Sequence, residues 1–321
     1  MRIASFNLEN LACDELSHAR LPILRHQLAR LNPDILCLQE VDGDHPSGSA
    51  PRQLLALDEL LRDTAYEKFH RVHTTHPGTC APRGKHNLVI LSRWPVKGHA
   101  QYMNDLVPPP YYKCVTSEPP QSEQPIEWDR PILHARIELP SGQMLHLINM
   151  HLKAPLASLV TGQKIGPFAW ASVSGWAEGF FLAAVKRAGQ ALEARMVIDR
   201  IFSDDADALL AVCGDFNVEE QDISFRIIAG RTEDTGNGLL VDCELIPLEH
   251  SVPISQRFTV IHAGRHKMLD HILVSRRLLS SFQKMEIHNE ALGDELVAYT
   301  QVNDPLESFH APVVAAFGEA P

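Results

Sequence analysis

At 321 residues the chain is long enough for two average domains, but large layered α/β folds also reach this size as one unit, so length alone decides little. Hydrophobic residues make up 45%, aromatics 7% and charged residues 21%, ordinary values for a soluble globular enzyme with a large core. A formal charge of -11 excludes a surface built throughout to grip nucleic acid, because phosphate contacts need Lys and Arg. It leaves room for a local basic rim from Arg83, Lys85, Arg93, Arg130, Lys153 and the run Arg265-His266-Lys267. The six cysteines show no CxxC spacing and read as buried free thiols. No charged-then-apolar leader and no apolar stretch near about 18 residues is visible, so a signal peptide and a membrane span are not expected and the cytoplasm is the default location.

In chain order, the first residues up to Asn7 predict a strand. A helix with Leu24, Leu28 and Leu31 on one face follows, then a strand over Ile35–Val41. A helix over Arg52–Arg62 has Leu54, Leu57 and Leu61 in register. Continuous apolar runs predict buried strands at Asn87–Ser92, Ile132–Leu139, Met144–Asn149 and Leu209–Gly214. Others lie at Phe258–Ile261, Leu269–Ser275 and Pro312–Phe317. The Pro-rich pieces Val107–Pro110 and Ser117–Pro125 read as exposed loop. A helix over Val185–Phe202 carries the stripe Ala188, Leu192, Met196, widened by Val197 and Ile201. Between Lys153 and about Ala184 stands an aromatic-rich stretch (Phe168, Trp170, Trp176, Phe180, Phe181) without strand period. It reads as an insertion in a single domain spanning 1–321, either a satellite core or a substrate wall. Alternating strands and helices imply layered α/β architecture.

Several apolar runs end in a side chain able to bind a metal or a phosphate: Asn7, Glu40, His151, Asp215 with Asn217, Asp270, and His310. Strand ends on one edge of a layered α/β protein form a crevice, so these residues are expected to converge. Any one alone could be a turn former or helix cap; their recurrence argues against coincidence. Oxygen ligands without Cys partners suit a hard cation, Mg²⁺ or Mn²⁺, which neutralises phosphate charge. His271 and His134 lie inside apolar runs and read as core histidines.

In this order the motifs Ser5-Phe6-Asn7-Leu8-Glu9-Asn10, Leu38-Gln39-Glu40-Val41, Ile90-Leu91-Ser92-Arg93 and Asn149-Met150-His151-Leu152 lead to Gly214-Asp215-Phe216-Asn217. Leu269-Asp270-His271-Ile272-Leu273-Val274-Ser275 and Ser308-Phe309-His310-Ala311-Pro312-Val313 complete the set. Together they resemble the endonuclease/exonuclease/phosphatase superfamily over almost the whole chain. The resemblance implies a deoxyribonuclease I-like, four-layer α/β/β/α sandwich of two packed mixed sheets flanked by helices. Glu40 would be the main Mg²⁺ ligand, with Asn7 fixing the site and Glu9 contributing. Asp215 would orient or activate the attacking water and Asn217 would hold it or a phosphoryl oxygen. His151 would contact the scissile phosphate, and His310, steadied by Asp270, would be the general base. Arg130 and Lys153 are candidate substrate-binding cations, and Arg187 and Gln190 read as structural.

One position departs from the family pattern, which has Ser-Asp-His where this chain has Ser308-Phe309-His310. Without that aspartate, two outcomes stand open: a one-metal site leaning on Glu40 and on Glu307 or Asp304, or weakened metal affinity. The expected activity is metal-dependent phosphoester hydrolysis by a phosphodiesterase or nuclease. A phosphatase or phospholipase-type enzyme on a small or lipid phosphoester is the alternative, and a binding protein on the same scaffold is a third reading. The expected partner is a phosphoester substrate, with nucleic acid among the candidates. No obligate protein partner is evident.

Overall fold

A computed structural model describes residues 1–14, 16, 18–46, 51–166, 169–233, 235–296 and 307–318. Two six-stranded mixed sheets pack face to face. The first runs in the order Phe282–Ile287, Val313–Phe317, Arg2–Leu11, Ile35–Val41, Asn87–Ser92, His70–His73. The second runs Ile246–Pro247, Asp270–Val274, Leu209–Asp215, Met144–His151, Ile132–Glu138, Val96–Tyr102. Each sheet has a parallel pair at its centre, Arg2–Leu11 with Ile35–Val41 and Met144–His151 with Leu209–Asp215. Parallel neighbours need a crossover, supplied by helices Arg20–Leu31 and Val173–Asp204.

Three apolar layers follow from the period-2 alternation of the strands. Ile3, Cys37, Leu147, Ala211 and Ile272 fill the space between the sheets. Ala4, Leu36 and Leu38 pack outward against helices Arg20–Leu31 and Leu55–Leu61. Ile148, Leu210 and Val212 pack outward against Val173–Asp204 and Ile223–Ala229. Helix, sheet, sheet, helix is the four-layer sandwich expected.

Of the strands absent from the sequence reading, the three longest, His70–His73, Val96–Tyr102 and Phe282–Ile287, are sheet edges, as is the two-residue Ile246–Pro247; the others are short pieces of separate two-stranded ladders. Edge strands are half solvated, so HRVH, VKGHAQY and FQKMEI carry no continuous apolar run. The strand expected at Phe258–Ile261 forms at Val260–His262, in a separate two-stranded ladder with Arg265–Lys267. The helix expected at Arg52–Arg62 is shorter, Leu55–Leu61. The long helix begins twelve residues earlier than its apolar stripe suggested, at Val173, where the Ser172 hydroxyl accepts from Gly175 N–H (2.9 Å). Its buried face keeps Val197 and Ile201 from the expected stripe and is turned away from the rest of it. Leu192 and Met196 are exposed, while Ala191, Ala194, Val197, Ile198 and Ile201 are buried. Small residues win there because they let the helix approach closely: a Cβ on Gly189 would lie 2.0 Å from the Trp128 ring. Cys37 and Cys213 are buried free thiols as expected, but Cys13 and Cys80 are exposed. Phe168 and Asp304 lie outside the described residues. Among the described residues no helix is long and apolar enough to cross a membrane.

Candidate active site

The inward-facing row of each central strand changes character towards one end of the sandwich. Above the apolar inter-sheet core lies an amide layer: Gln39 Nε2 donates to Asn149 Oδ1 (2.7 Å) and to Ser5 Oγ (3.1 Å), and Asn149 Nδ2 donates to the Leu38 and Val89 carbonyls (3.0 Å each). One step further along the same rows stand Asn7, His151, Asp215 and Asp270. Register fixes their order, because Asp215 pairs with His151 on one side and Asp270 on the other. Burying such groups requires that they satisfy one another.

Asp215 is the meeting point. Its Oδ2 accepts from Asn7 Nδ2 and Asn217 Nδ2 (3.1 Å each) and lies 3.2 Å from His151 Nε2 and 3.9 Å from His310 Nε2. Its Oδ1 accepts the Asn217 N–H (2.8 Å). Burial alone would raise the Asp215 pKa, but the charges of His310 and His151 and the hydrogen bonds from His151 and Asn217 hold it far below the usual carboxylate range. Across the crevice, His310 Nδ1 lies 2.8 Å from Asp270 Oδ2. Burial opposes charge on His310, yet Asp270 and Asp215 outweigh it and raise its pKa well above the ordinary imidazole value. Asp270 itself is pushed up, by burial first and by the Asp215 charge, with Oδ1 buried and unpartnered.

Glu40 reaches the site by breaking its strand. Alternation would send it outward with Leu36 and Leu38, but a bulge with Glu40 at φ +58° turns it into the crevice. Its Oε1 accepts from Asn7 Nδ2 (3.4 Å) and lies 3.7 Å from His151 Nε2, while Oε2 accepts the Asn10 N–H (3.0 Å). Burial works against the Glu40 charge, and His151, His86 and Arg130 overcome it, lowering the pKa. Glu9, Asn10 and Asn217 also adopt positive φ, so left-handed backbone gathers around the site. Gly214, at φ +139°, has no alternative: a Cβ there would lie 1.9 Å from the Met150 carbonyl oxygen.

The family's missing aspartate is met by a different arrangement. Phe309 is buried, its ring towards Gly293, and its N–H donates to Glu9 Oε2 (2.7 Å). Glu9 is thereby drawn to the place where the last motif enters the site, and burial together with the Glu40 charge pushes its pKa up to about 6. Glu307 supplies nothing comparable; its carboxyl answers to Arg30, Glu290 and His26, outside the crevice. Asn7 turns its amide nitrogen to the two carboxylates, and its oxygen accepts the Glu9 N–H (2.9 Å).

Of the proposed cations, Arg130 donates to the Leu152 carbonyl (3.0 Å) close enough to Glu40 and Asp215 to feel both charges. Lys153 is paired with Asp129 (3.1 Å). Arg93 belongs to the opposite end of its strand, bound to Asp34 (3.2 Å). Gln190 Nε2 donates to the His151 carbonyl (3.2 Å) and Arg187 to that of Lys153 (3.0 Å), bracing the strand end from behind. His271, fully buried, bridges Glu249 (2.6 Å) and the Val218 carbonyl (2.9 Å).

His86 was not singled out from the sequence. Its backbone, at φ +55°, donates its N–H to Asp42 Oδ1 (2.8 Å), and this places its Nδ1 3.7 Å from Glu40 Oε2 with its ring edge-on to His151. Burial lowers the His86 pKa to about 4, leaving a neutral third imidazole at the rim. Local sequence, Gly84-Lys85-His86, carried no signal beyond its place before a buried strand.

The donor set suits a hard divalent cation. Glu9, Glu40 and Asp215 bring oxygen ligands to one crevice, and Asp215, Asp270 and His310 place ligand atoms within 4.8 Å of one another. Buried acids in this number, one with an unpartnered oxygen, call for positive charge beyond that of the histidines.

Residues 4–292 match the family described as endonuclease/exonuclease/phosphatase. No curated protein matches the chain. Among solved structures, the 3′ phosphatase NExo from Neisseria, bound to a product DNA hairpin, is 18% identical with a TM-score of 0.56, covering 99% of both chains. The mannosyl-6-phosphatase Bt3783 of Bacteroides thetaiotaomicron is 13% identical with a TM-score of 0.61 and the same coverage. Truncated Caenorhabditis elegans TDP2 is 15% identical with a TM-score of 0.55, covering 98% of this chain and 96% of its own. At these identities the likeness is one of fold. The family match over most of the sequence goes further, and the chain belongs to the endonuclease/exonuclease/phosphatase family.

Proposed function

We propose that the protein is a metal-dependent phosphoester hydrolase, a phosphodiesterase or nuclease that delivers water to phosphorus. The observation that carries this reading is the convergence of four donors on Asp215 opposite the His310–Asp270 pair. A bound Mg²⁺ or Mn²⁺ would neutralise phosphoryl charge and lower the pKa of water, with Glu40 as its principal ligand and Glu9 and Asp215 beside it.

Asp215 is ionised across the physiological range and is acceptor-only, which fits it to orient a water. Asn217 keeps that carboxylate in place through both its backbone and its amide N–H groups. His151 would contact a phosphoryl oxygen, a role supported by the position of its Nε2 between Glu40 and Asp215. His310 holds its proton in the free protein, so its first role is donor and charge partner to the phosphoryl group. Asp215 then orients a water that the cation would make more acidic, and Asp270 fixes the His310 ring and its charge. Arg130 adds positive charge behind the site.

The experiment is an assay of a bis-aryl phosphodiester, a monoester, and single- and double-stranded DNA with Mg²⁺, Mn²⁺ or EDTA. Asp215→Ala and His310→Ala are each expected to lower kcat by roughly 10²–10⁴-fold, and EDTA to abolish turnover. Activity that survives both substitutions would remove the site assignment. No turnover of any substrate with either metal would favour the binding-protein reading. Preference for the monoester, or turnover independent of salt, would favour a phosphatase or phospholipase-type enzyme, since a nuclease loses affinity steeply as salt rises.

A further inference from the structure

The long helix outruns the sandwich. Arg187 and Gln190 stand level with the end of strand Met144–His151, and from there the helix continues back to Val173, about 25 Å at 1.5 Å per residue, beyond the edge on which the site opens. This arm is firmly built on its inner side. Glu178 is buried and accepts from Tyr112 OH (3.0 Å) and Thr116 N–H (2.8 Å), Ser158 N–H donates to the Gly179 carbonyl (2.8 Å), and Leu182 packs on Ile126 and Val160. A Cβ at Gly179 would lie 2.4 Å from the Ser158 oxygen, so the loop and helix are in direct contact.

Its outer side is the reverse. Val173, Trp176, Phe180 and Phe181 are 80%, 45%, 40% and 47% exposed, Ala177 lies between them, Trp176 stacks on Phe180 at 5.6 Å, and Phe181, at the margin of the face, leans on the Tyr112 ring at 5.3 Å. From Val173 to Val185 the sole charged residue is Glu178, which faces inward. Exposed apolar surface of this kind marks an interaction site. An ordinary protein interface carries about ten hydrogen bonds, whereas this cluster offers one donor among its side chains, the Trp176 indole. A lipid surface asks for no such bonds and favours Trp and Phe at its polar boundary. The net charge of -11, with Lys153 and Lys186 both paired to Asp129, opposes an anionic layer.

We propose that the outer face of this arm docks on a zwitterionic lipid surface, inserting Trp176, Phe180 and Phe181 into it and presenting the active-site edge to the same surface. The inference is independent of the phosphoester reading, and its test needs neither metal nor turnover.

The full chain is mixed with phosphatidylcholine vesicles in EDTA, and the bound fraction is measured by flotation at low and high salt. The wild type is expected to float with the vesicles equally at both salt concentrations. Trp176→Ser/Phe180→Ser/Phe181→Ser should weaken binding at least tenfold with an unchanged melting curve, and Leu239→Ser/Ile254→Ser, elsewhere on the surface, should not. Brominated phosphatidylcholine should quench wild-type fluorescence, and Trp176→Phe should remove that quenching, a readout that survives if the triple variant misfolds. Absence of vesicle binding by the wild type overturns the proposal, as does binding abolished by salt. A concentration-dependent dimer that the triple variant lacks, without lipid binding, would assign the face to a second copy instead.

Discussion

The site and the helix arm break the same rule in opposite directions. At the site, carboxylates and imidazoles are buried between sheets; on the arm, Trp and Phe stand in solvent. The buried acids persist because each has a partner fixed by register: Asp215 lies between His151 and Asp270, and strained backbone carries Glu40 and Asn217 to it. The exposed aromatics rest on one another and on Tyr112, Trp176 against Phe180 and Phe181 against the Tyr112 ring, and their outer faces are left to solvent. Substitutions should therefore be costly at the first region and cheap at the second, and this contrast can be broken experimentally.

The largest effect is expected at Gly214. Gly214→Ala would place a methyl group against the Met150 carbonyl in a backbone conformation that L-residues rarely adopt, so unfolding free energy in urea should fall by about 4 kcal/mol or more. A loss below about 1 kcal/mol would mean that the strand end is far more pliant than its packing implies.

Next comes the charge on Glu9. Its folded pKa, about 6, lies above the ordinary 4.5, so the metal-free protein should lose up to about 2 kcal/mol of stability as pH rises from 4.5 to 6. A cation needs the ionised form. Apparent Mg²⁺ affinity by calorimetry should rise about tenfold per pH unit below 6 and level off above it, where Glu9 is already ionised. Glu9→Gln should flatten that dependence, and an unchanged profile would take Glu9 out of the proposed cation site.

The smallest effect belongs to the arm. Trp176→Ser and Phe180→Ser should each shift the unfolding free energy by roughly 0.5 kcal/mol or less, as exposed positions do. A loss of several kcal/mol at either would show that the face is structural and erase the contrast.

Much of this could be read without coordinates. The central strands declared themselves by unbroken apolar runs because both their faces are covered, and the polar residues that close those runs form the crevice. The edges escape notice because solvation dilutes their pattern, and in the long helix only the Val197 and Ile201 side of the expected stripe is buried, joined by Ala191, Ala194 and Ile198 in place of Leu192 and Met196.

The sequence by itself determined the family, the layered fold and which side chains meet at strand ends, since alternation and motif order are local properties of the chain. Tertiary structure alone decided the rest. It turned Glu40 inward through a bulge, brought His86 beside it, and set His310 between two buried aspartates whose charges raise its pKa. It also set Glu9, not Glu307, against the buried Phe309, and left one side of the arm uncovered. These outcomes depend on burial and on distances between residues far apart in the chain, which no local pattern encodes.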